Sequence, residues 1–222
     1  MRHGATSSNG AWVTRSIDET LARRLDNLSQ SAGATRFMTM LAAFGALLQG
    51  YSAQCDVRID TPPGTRFDAR LAQVRDRVLG AHDHAAVPFA KLVERLQPQR
   101  SMSHTPLFQV MFDYSEVGTA LSMPGIEATS LEGGTGTAQF DLSMQVTADA
   151  NIGGLHVSLN YATDIFDEAT VSRLIDSYVA ILHQAAQQPE RTEFDLLDDT
   201  QRNQLARWTH GASLVADTPL VH

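Results

Sequence analysis

A chain of 222 residues, 43% of them hydrophobic, is long enough to bury the core of one large domain. A net charge of −8 without any Lys/Arg run argues against nucleic acid, whose phosphates call for a basic face. A single cysteine, Cys55, excludes an internal disulfide, and no apolar run approaches the roughly 20 residues that span a bilayer.

The polar start Met1 to Gly10 has no apolar signal core and reads as a flexible N-terminus, so a soluble, cytoplasmic protein is expected. Ala11 to Ile17 alternates and contains β-branched residues, which predicts a strand. Asp18 suits an N-cap, Leu21, Leu25 and Leu28 keep helical spacing, and Gly33 is a stop. Thr35 can cap a second helix. Its apolar residues Phe37, Met40, Leu41, Phe44, Leu47, Leu48 and Tyr51 cover more than one face, which predicts burial between layers.

Asp56 to Asp60 is a short strand candidate, and Thr61 to Thr65 carries turn chemistry. A third helix follows from about Asp68, with Leu71, Val74 and Val78 inward. Pro88 fits the first turn of a fourth helix, where its missing N–H costs nothing; Phe89, Leu92, Val93 and Leu96 form that helix's apolar stripe. From Leu107 the period changes. Leu107 to Tyr114, Ile126 to Leu131, Phe140 to Thr147 and Leu155 to Ala162 read as strands, the last two joined by a hairpin connection over Asp149 to Gly154. Asp167 caps a long helix carrying Val171, Leu174, Ile175, Tyr178, Ile181 and Leu182. Beyond Pro189 the tail is anchored by Phe194, Leu196 and Leu197, with a short helix over Gln201 to Trp208. Helices, then neighbouring strands, then a helix predict an α/β layered fold with a mixed or mainly antiparallel sheet covered by helices.

Isolated motifs carry little chemistry. His82 and His84 lie one apart at a helix end, where two imidazoles do not share a face, so no metal site is expected. Gly133 to Thr137 lacks the Lys-Ser/Thr of a phosphate loop and reads as a loop between strands. There is no Gly-x-Ser-x-Gly elbow, and nothing pairs a histidine with Cys55. No catalytic, cofactor-binding or metal-ligating residue is therefore expected. Trp12, Met111, Phe112 and Tyr114 are expected in the core.

Order and spacing of longer motifs say more. Val87-Pro88-Phe89-Ala90-Lys91-Leu92-Val93-Glu94-Arg95-Leu96 runs into Ser103-His104-Thr105-Pro106-Leu107-Phe108-Gln109-Val110-Met111-Phe112. Val13 to Asp18, Gly33 to Phe44, Phe140-Asp141-Leu142, Leu159 to Asp167 and Leu205-Ala206-Arg207-Trp208 extend the pattern over nearly the whole chain. This resembles the C-terminal subdomain of condensation domains from nonribosomal peptide synthetases. The resemblance implies one chloramphenicol acetyltransferase-like subdomain over residues 11–188 and a linker toward an adenylation domain over 189–222. In that family two such subdomains form a V, carrier proteins deliver substrates into the tunnel between them, and an amide bond is made.

The departures matter as much. The family motif His-His-x-x-x-Asp-Gly is absent, and none of the eight histidines has an Asp four residues on. Between Asp60 and Phe67 roughly two dozen residues of the family pattern are missing, which implies loss of the loop that floors the tunnel. The pattern His-Gln-Asp-x-Pro-Phe-Glu survives as His84, Pro88 and Phe89 with alanines between, and Arg-Asp-x-Ser-Arg-x-Pro-Leu as Arg100, Ser103, Pro106 and Leu107. Such half-kept polar networks suggest that their partners are gone. Asp113 and Asp141 interrupt apolar strands, either as tunnel-lining groups or as strand-end carboxylates.

The resemblance therefore implies a truncated, catalytically inactive fragment, not itself an enzyme, within a synthetase for secondary metabolites such as antibiotics. Its role would be a docking platform for the following adenylation domain, with Leu196, Leu197, Leu205 and Trp208 holding the linker. The alternative is half of a split condensation enzyme that needs a separately encoded N-terminal subdomain. A peptidyl carrier protein or a second copy of the chain are further partners it leaves open. No cofactor is expected, phosphopantetheine belonging only to a partner carrier protein.

Overall fold

A computed structural model of the chain describes residues 9–52, 62, 64–96, 108–117, 136–149, 153–197, 202–203 and 206–207. The strand candidates at 56–60 and 126–131 lie outside these residues, as does Cys55. The described elements are β1 (Gly10–Ile17), α1 (Glu19–Ser31), α2 (Arg36–Ser52), α3 (Phe67–His82), α4 (Phe89–Leu96), β2 (Val110–Val117), β3 (Leu142–Asp149), β4 (Leu155–Ala162) and α5 (Glu168–Gln187).

The strands form a four-stranded sheet in the order β1-β4-β3-β2. β4 runs antiparallel to both β1 and β3, while β2 lies parallel to β3 at the edge. The expected mixed sheet is thus observed, and β3 and β4 are adjacent and antiparallel as the hairpin expectation requires. Gly153, at φ +64°, supplies the left-handed backbone residue of that connection.

Period-two alternation gives the sheet two unlike faces. Leu142, Met144, Val146 and Ala148 of β3 and Leu155, Val157, Leu159 and Tyr161 of β4 are buried on one of them. α2 and α5 pack on this face: Phe44 stacks on Phe112 at 5.5 Å, and Phe37 lies 5.9 Å from the same ring. α5 buries Val171, Leu174, Ile175, Tyr178, Ile181 and Leu182, the residues whose spacing predicts its inner stripe. Burying one such side chain is worth about 1.5–3 kcal/mol. The Tyr178 hydroxyl is fully buried but donates to the Met40 carbonyl at 3.1 Å, so it carries no desolvation debt.

Caps define the helix ends. Asp18 and Asp167 each accept the backbone N–H three residues on, from Leu21 at 2.8 Å and Thr170 at 2.7 Å. Two expectations need correction. Trp12 and Met111 are not in the core: the period puts Trp12, 44% exposed, with Thr14 and Ser16 on the other face, and the register sets the half-buried Met111 in the same row there. The α4 stripe is not packed either: Phe89, Leu92 and Leu96 are exposed, and the helix buries no side chain. Among the described residues no single helix is long and apolar enough to cross a membrane.

Candidate functional site

The face of the sheet turned away from α2 and α5 is a grid of polar side chains. Register aligns three rows across it: Trp12, Asn160, Ser143 and Met111; Thr14, Ser158, Gln145 and Asp113; Ser16, His156, Thr147 and Ser115. Short hydroxyls bridge the strands, with Thr14 Oγ1 3.0 Å from Ser158 Oγ and Ser115 Oγ 3.4 Å from Thr147 Oγ1. Asn160 is buried because its Nδ2 donates to the carbonyls of Ala11 at 3.3 Å and Thr137 at 3.2 Å. Asp113 is exposed in the middle row, so this strand-interrupting carboxylate belongs to the polar face.

Such a wall can hydrogen-bond an extended ligand. His156 is its one imidazole among the described residues. Nδ1 lies 3.4 Å from Ser16 Oγ, and no carboxylate among the described residues orients the ring. Among the described residues a nucleophile, base and orienting group are therefore not brought together there. Burial pushes the Tyr161 and Tyr114 hydroxyls upward, the latter opposed by the Arg36 charge, so neither is a ready proton acceptor. Arg36 itself is held above its ordinary range by its hydrogen-bonded pair with Asp26, at 2.6 and 2.5 Å. No group of three His, Cys, Asp or Glu side chains that could hold a metal occurs among the described residues.

The motif residues of the α3–α4 corner lie elsewhere. His84 is exposed, with Nδ1 2.8 Å from the Gly80 carbonyl at the end of α3. The Pro88 carbonyl accepts from Lys91 and Leu92 at the start of α4. Phe89 touches Phe108 at 5.9 Å, which in turn meets Phe140 at 5.5 Å, so α4 is tied down at its N-terminal end by one aromatic cluster. Arg100, Ser103 and Pro106 lie outside the described residues.

A third region is the segment that follows α5. After Gln188 the chain folds back over the helices as a strap. Phe194 packs edge-on against Phe67 of α3 at 5.9 Å, and Leu196 joins the core margin. A Cβ on Gly50 of α2 would lie 2.6 Å from Leu196 Cδ1, the tip of that side chain, so Leu196 sits in space that the glycine leaves open and would have to re-seat over any larger residue. Leu197, next along, is 41% exposed. Leu205 and Trp208 lie outside the described residues. No sequence pattern singles out Gly50, Ser177 and Gln184, the residues that meet the strap. A glycine near the end of an apolar helix reads as a stop, and polar residues on α5 read as a solvated face. The polar grid is within reach of the sequence, since Ser-Met-Gln-Val-Thr and His-Val-Ser-Leu-Asn alternate over consecutive strands.

One further side chain has no sequence signature. Arg70 of α3 is buried, its Nη2 donates to Gln49 Oε1 at 2.5 Å, and its Nε and Nη1 have no hydrogen-bond partner among the described residues. Desolvation makes its charge less favourable than usual.

Comparison with known proteins places these surfaces. The family model of the Condensation domain matches residues 56–206. One of the linear gramicidin synthase subunits of Brevibacillus parabrevis is 32% identical over the whole of this chain and 5% of its own length. That alignment runs over 254 positions against 222 residues here, so at least 32 of them have no counterpart in this chain. The solved complex of the X-domain and OxyB from teicoplanin biosynthesis matches with a TM-score of 0.78 and 25% identity, over 90% of this chain and 50% of that one. Holo-AB3403, a four-domain nonribosomal peptide synthetase bound to AMP and glycine, shares the fold at TM-score 0.78 and 19% identity, over 89% of this chain and 18% of its own. The chain thus spans a small part of the curated relative and about half of the X-domain chain.

Proposed function

Because the chain belongs to the condensation-domain family of nonribosomal peptide synthetases, we propose that it acts within a synthetase as a docking platform for a following adenylation domain. Membership corrects one expectation. The missing histidine motif implies no enzyme, yet the relatives are condensation domains of peptide synthetases, which are amide-bond-forming enzymes. The proposal accordingly concerns what this chain contributes to such a unit, and the catalytic imidazole of His-His-x-x-x-Asp-Gly, absent from the 222 residues, is left to the remainder of that unit.

The observation that carries the platform is the strap. Phe194 and Leu196 insert into the helical layer while Leu197 beside them stays exposed, so the segment is anchored on one side and offers an apolar residue on the other. The family match continues through this segment to residue 206. That a fold of this kind serves as a docking partner is supported by the X-domain, solved in complex with OxyB. The test uses a longer protein that carries the adenylation domain. Leu197→Asp and Trp208→Ala should lower its soluble yield and its amino-acid-dependent adenylate formation several-fold. Unchanged yield and unchanged adenylation in both variants would count against the platform.

A second reading is favoured by the polar grid. Three rows rich in hydroxyl and amide groups, with the Asp113 carboxylate, on a face that no described helix covers suit one wall of a tunnel whose other wall comes from a separate N-terminal subdomain. Mixing the chain with such a subdomain bearing the histidine motif should then restore amide synthesis between two carrier-bound aminoacyl groups. No product above that of either half alone rejects this reading.

A further inference from the structure

The strap is gripped mainly through its backbone. The N–H groups of Phe67 and Asp68, at the start of α3, donate to the carbonyls of Arg191 at 2.9 Å and Pro189 at 2.8 Å. Arg66 at the N-cap makes no side-chain cap bond, and the strap itself satisfies two of the orphan donors at that helix end. Further along, the Gln184 side-chain amide on α5 pairs with both backbone groups of Asp195. Its Nε2 donates to the Asp195 carbonyl at 2.9 Å, and its Oε1 accepts the Asp195 N–H at 3.0 Å. The Arg191 guanidinium donates to the same Oε1. Ser177, about two turns earlier on α5 and 2% exposed, donates to the Leu196 carbonyl at 3.0 Å. A hydroxyl has one proton, so the Tyr51 hydroxyl, 2.9 Å away, is the donor to Ser177 Oγ.

The chain is then turned. The Asp195 carboxylate accepts the Leu197 N–H at 3.3 Å and pairs with the Arg202 guanidinium. Four of the strap's residues, Pro189, Arg191, Asp195 and Leu196, are thus held through main-chain atoms, and Leu196 is held also by its side chain over Gly50.

We propose that Gln184 and Ser177 are positioning residues which, with Gly50, fix the direction in which the chain leaves the condensation fold and so the orientation of the domain that follows. The inference rests on the platform reading and deepens it. A backbone grip does not depend on which side chains the strap carries. Substitution of Gln184 or Ser177 on α5 therefore disturbs the strap more than most mutations in the strap itself. The geometry of Gln184 also makes a specific demand. An amide donates and accepts at once; glutamate can only accept, and alanine can do neither.

Hydrogen–deuterium exchange on the 222-residue chain tests the grip. Gln184→Ala should speed exchange at the Asp195 amide at least tenfold and leave the buried turns of α5 at their original rate. Gln184→Glu should keep the Asp195 amide protected, since Oε1 remains. Gly50→Ala should push the Leu196 side chain off its present seat and speed exchange at 196–197, by less than Gln184→Ala does at Asp195. Strap exchange at the original rate in both Gln184→Ala and Gly50→Ala overturns the proposal, as does a uniform rise over the whole molecule. In the longer protein, the distance distribution between spin labels on α5 and on the adenylation domain should broaden in Gln184→Ala. Loosened exchange with an unbroadened distribution rejects the platform reading and the orienting role but leaves the grip on the strap standing.

Discussion

Helices α5 and α4 are both amphipathic, and only one of them is packed. α5 lays eight buried residues against the sheet and the neighbouring helices. α4 presents an equally regular stripe of Phe89, Leu92, Val93 and Leu96, and buries none of them; among the described residues an aromatic contact between Phe89 and Phe108 ties it to the fold. The difference teaches that hydrophobic period fixes which face of a helix is apolar and says nothing about what covers it. Covering comes from topology. β4 and β1 run beneath α5, whereas no described helix or strand packs closely on α4.

The largest expected effect breaks the symmetry between the two stripes. Leu182→Ala in α5 removes a fully buried side chain and should cost about 2–5 kcal/mol in denaturant unfolding. Leu92→Ala in α4 removes a side chain that is 43% exposed and should stay within about 0.5 kcal/mol. Similar losses for the two would mean that α4 is as well covered as α5.

A second change sharpens the contrast by making the packed side more apolar. Arg70 spends a buried guanidinium on one hydrogen bond to Gln49, with Nε and Nη1 unpartnered. An unsatisfied buried donor costs roughly 1–3 kcal/mol, and no carboxylate is paired with this charge among the described residues to offset it. Arg70→Leu should therefore raise the unfolding free energy by about 1–2 kcal/mol, the lower part of that range because Gln49 loses its donor. A destabilised variant would show that the guanidinium has a partner of real worth.

Much of this is readable in the sequence, and the reasons it stops are local. Asp18 and Asp167 announce their helices because a cap is a contact between residues three apart. β1 declares itself by alternation and β2 by an apolar, aromatic run, and the family pattern carries the segment after α5 as a linker. Contacts across long sequence distances have no such signal. Gly50 meets Leu196, Tyr51 meets Ser177, and Gln184 meets a backbone eleven residues on, whose path no side-chain pattern encodes. Trp12 misleads for a different reason. Its size argues for the core, whereas its place in the alternation, shared with Thr14 and Ser16, argues correctly for the open face.

The smallest effect compares how the two helices begin. α4 starts after Pro88, whose fixed backbone needs no titrating group. α5 starts at Asp167, whose carboxylate is held below its usual range first by the Thr170 backbone N–H and then by the Thr170 hydroxyl. The sign follows from that depression. The charged cap stabilises the folded state above the unfolded carboxylate value of about 4 and loses its contribution as pH falls through the lower folded value. The group is fully exposed, so the effect is local to the first turn. In a titration followed by NMR, the Thr170 amide shift should move with a midpoint clearly below about 4, while the α4 amides after Pro88 show no matching transition. Asp167→Asn keeps a cap and should abolish the Thr170 transition. A midpoint at or above that value would mean that the two helix starts do not differ in the way their caps require.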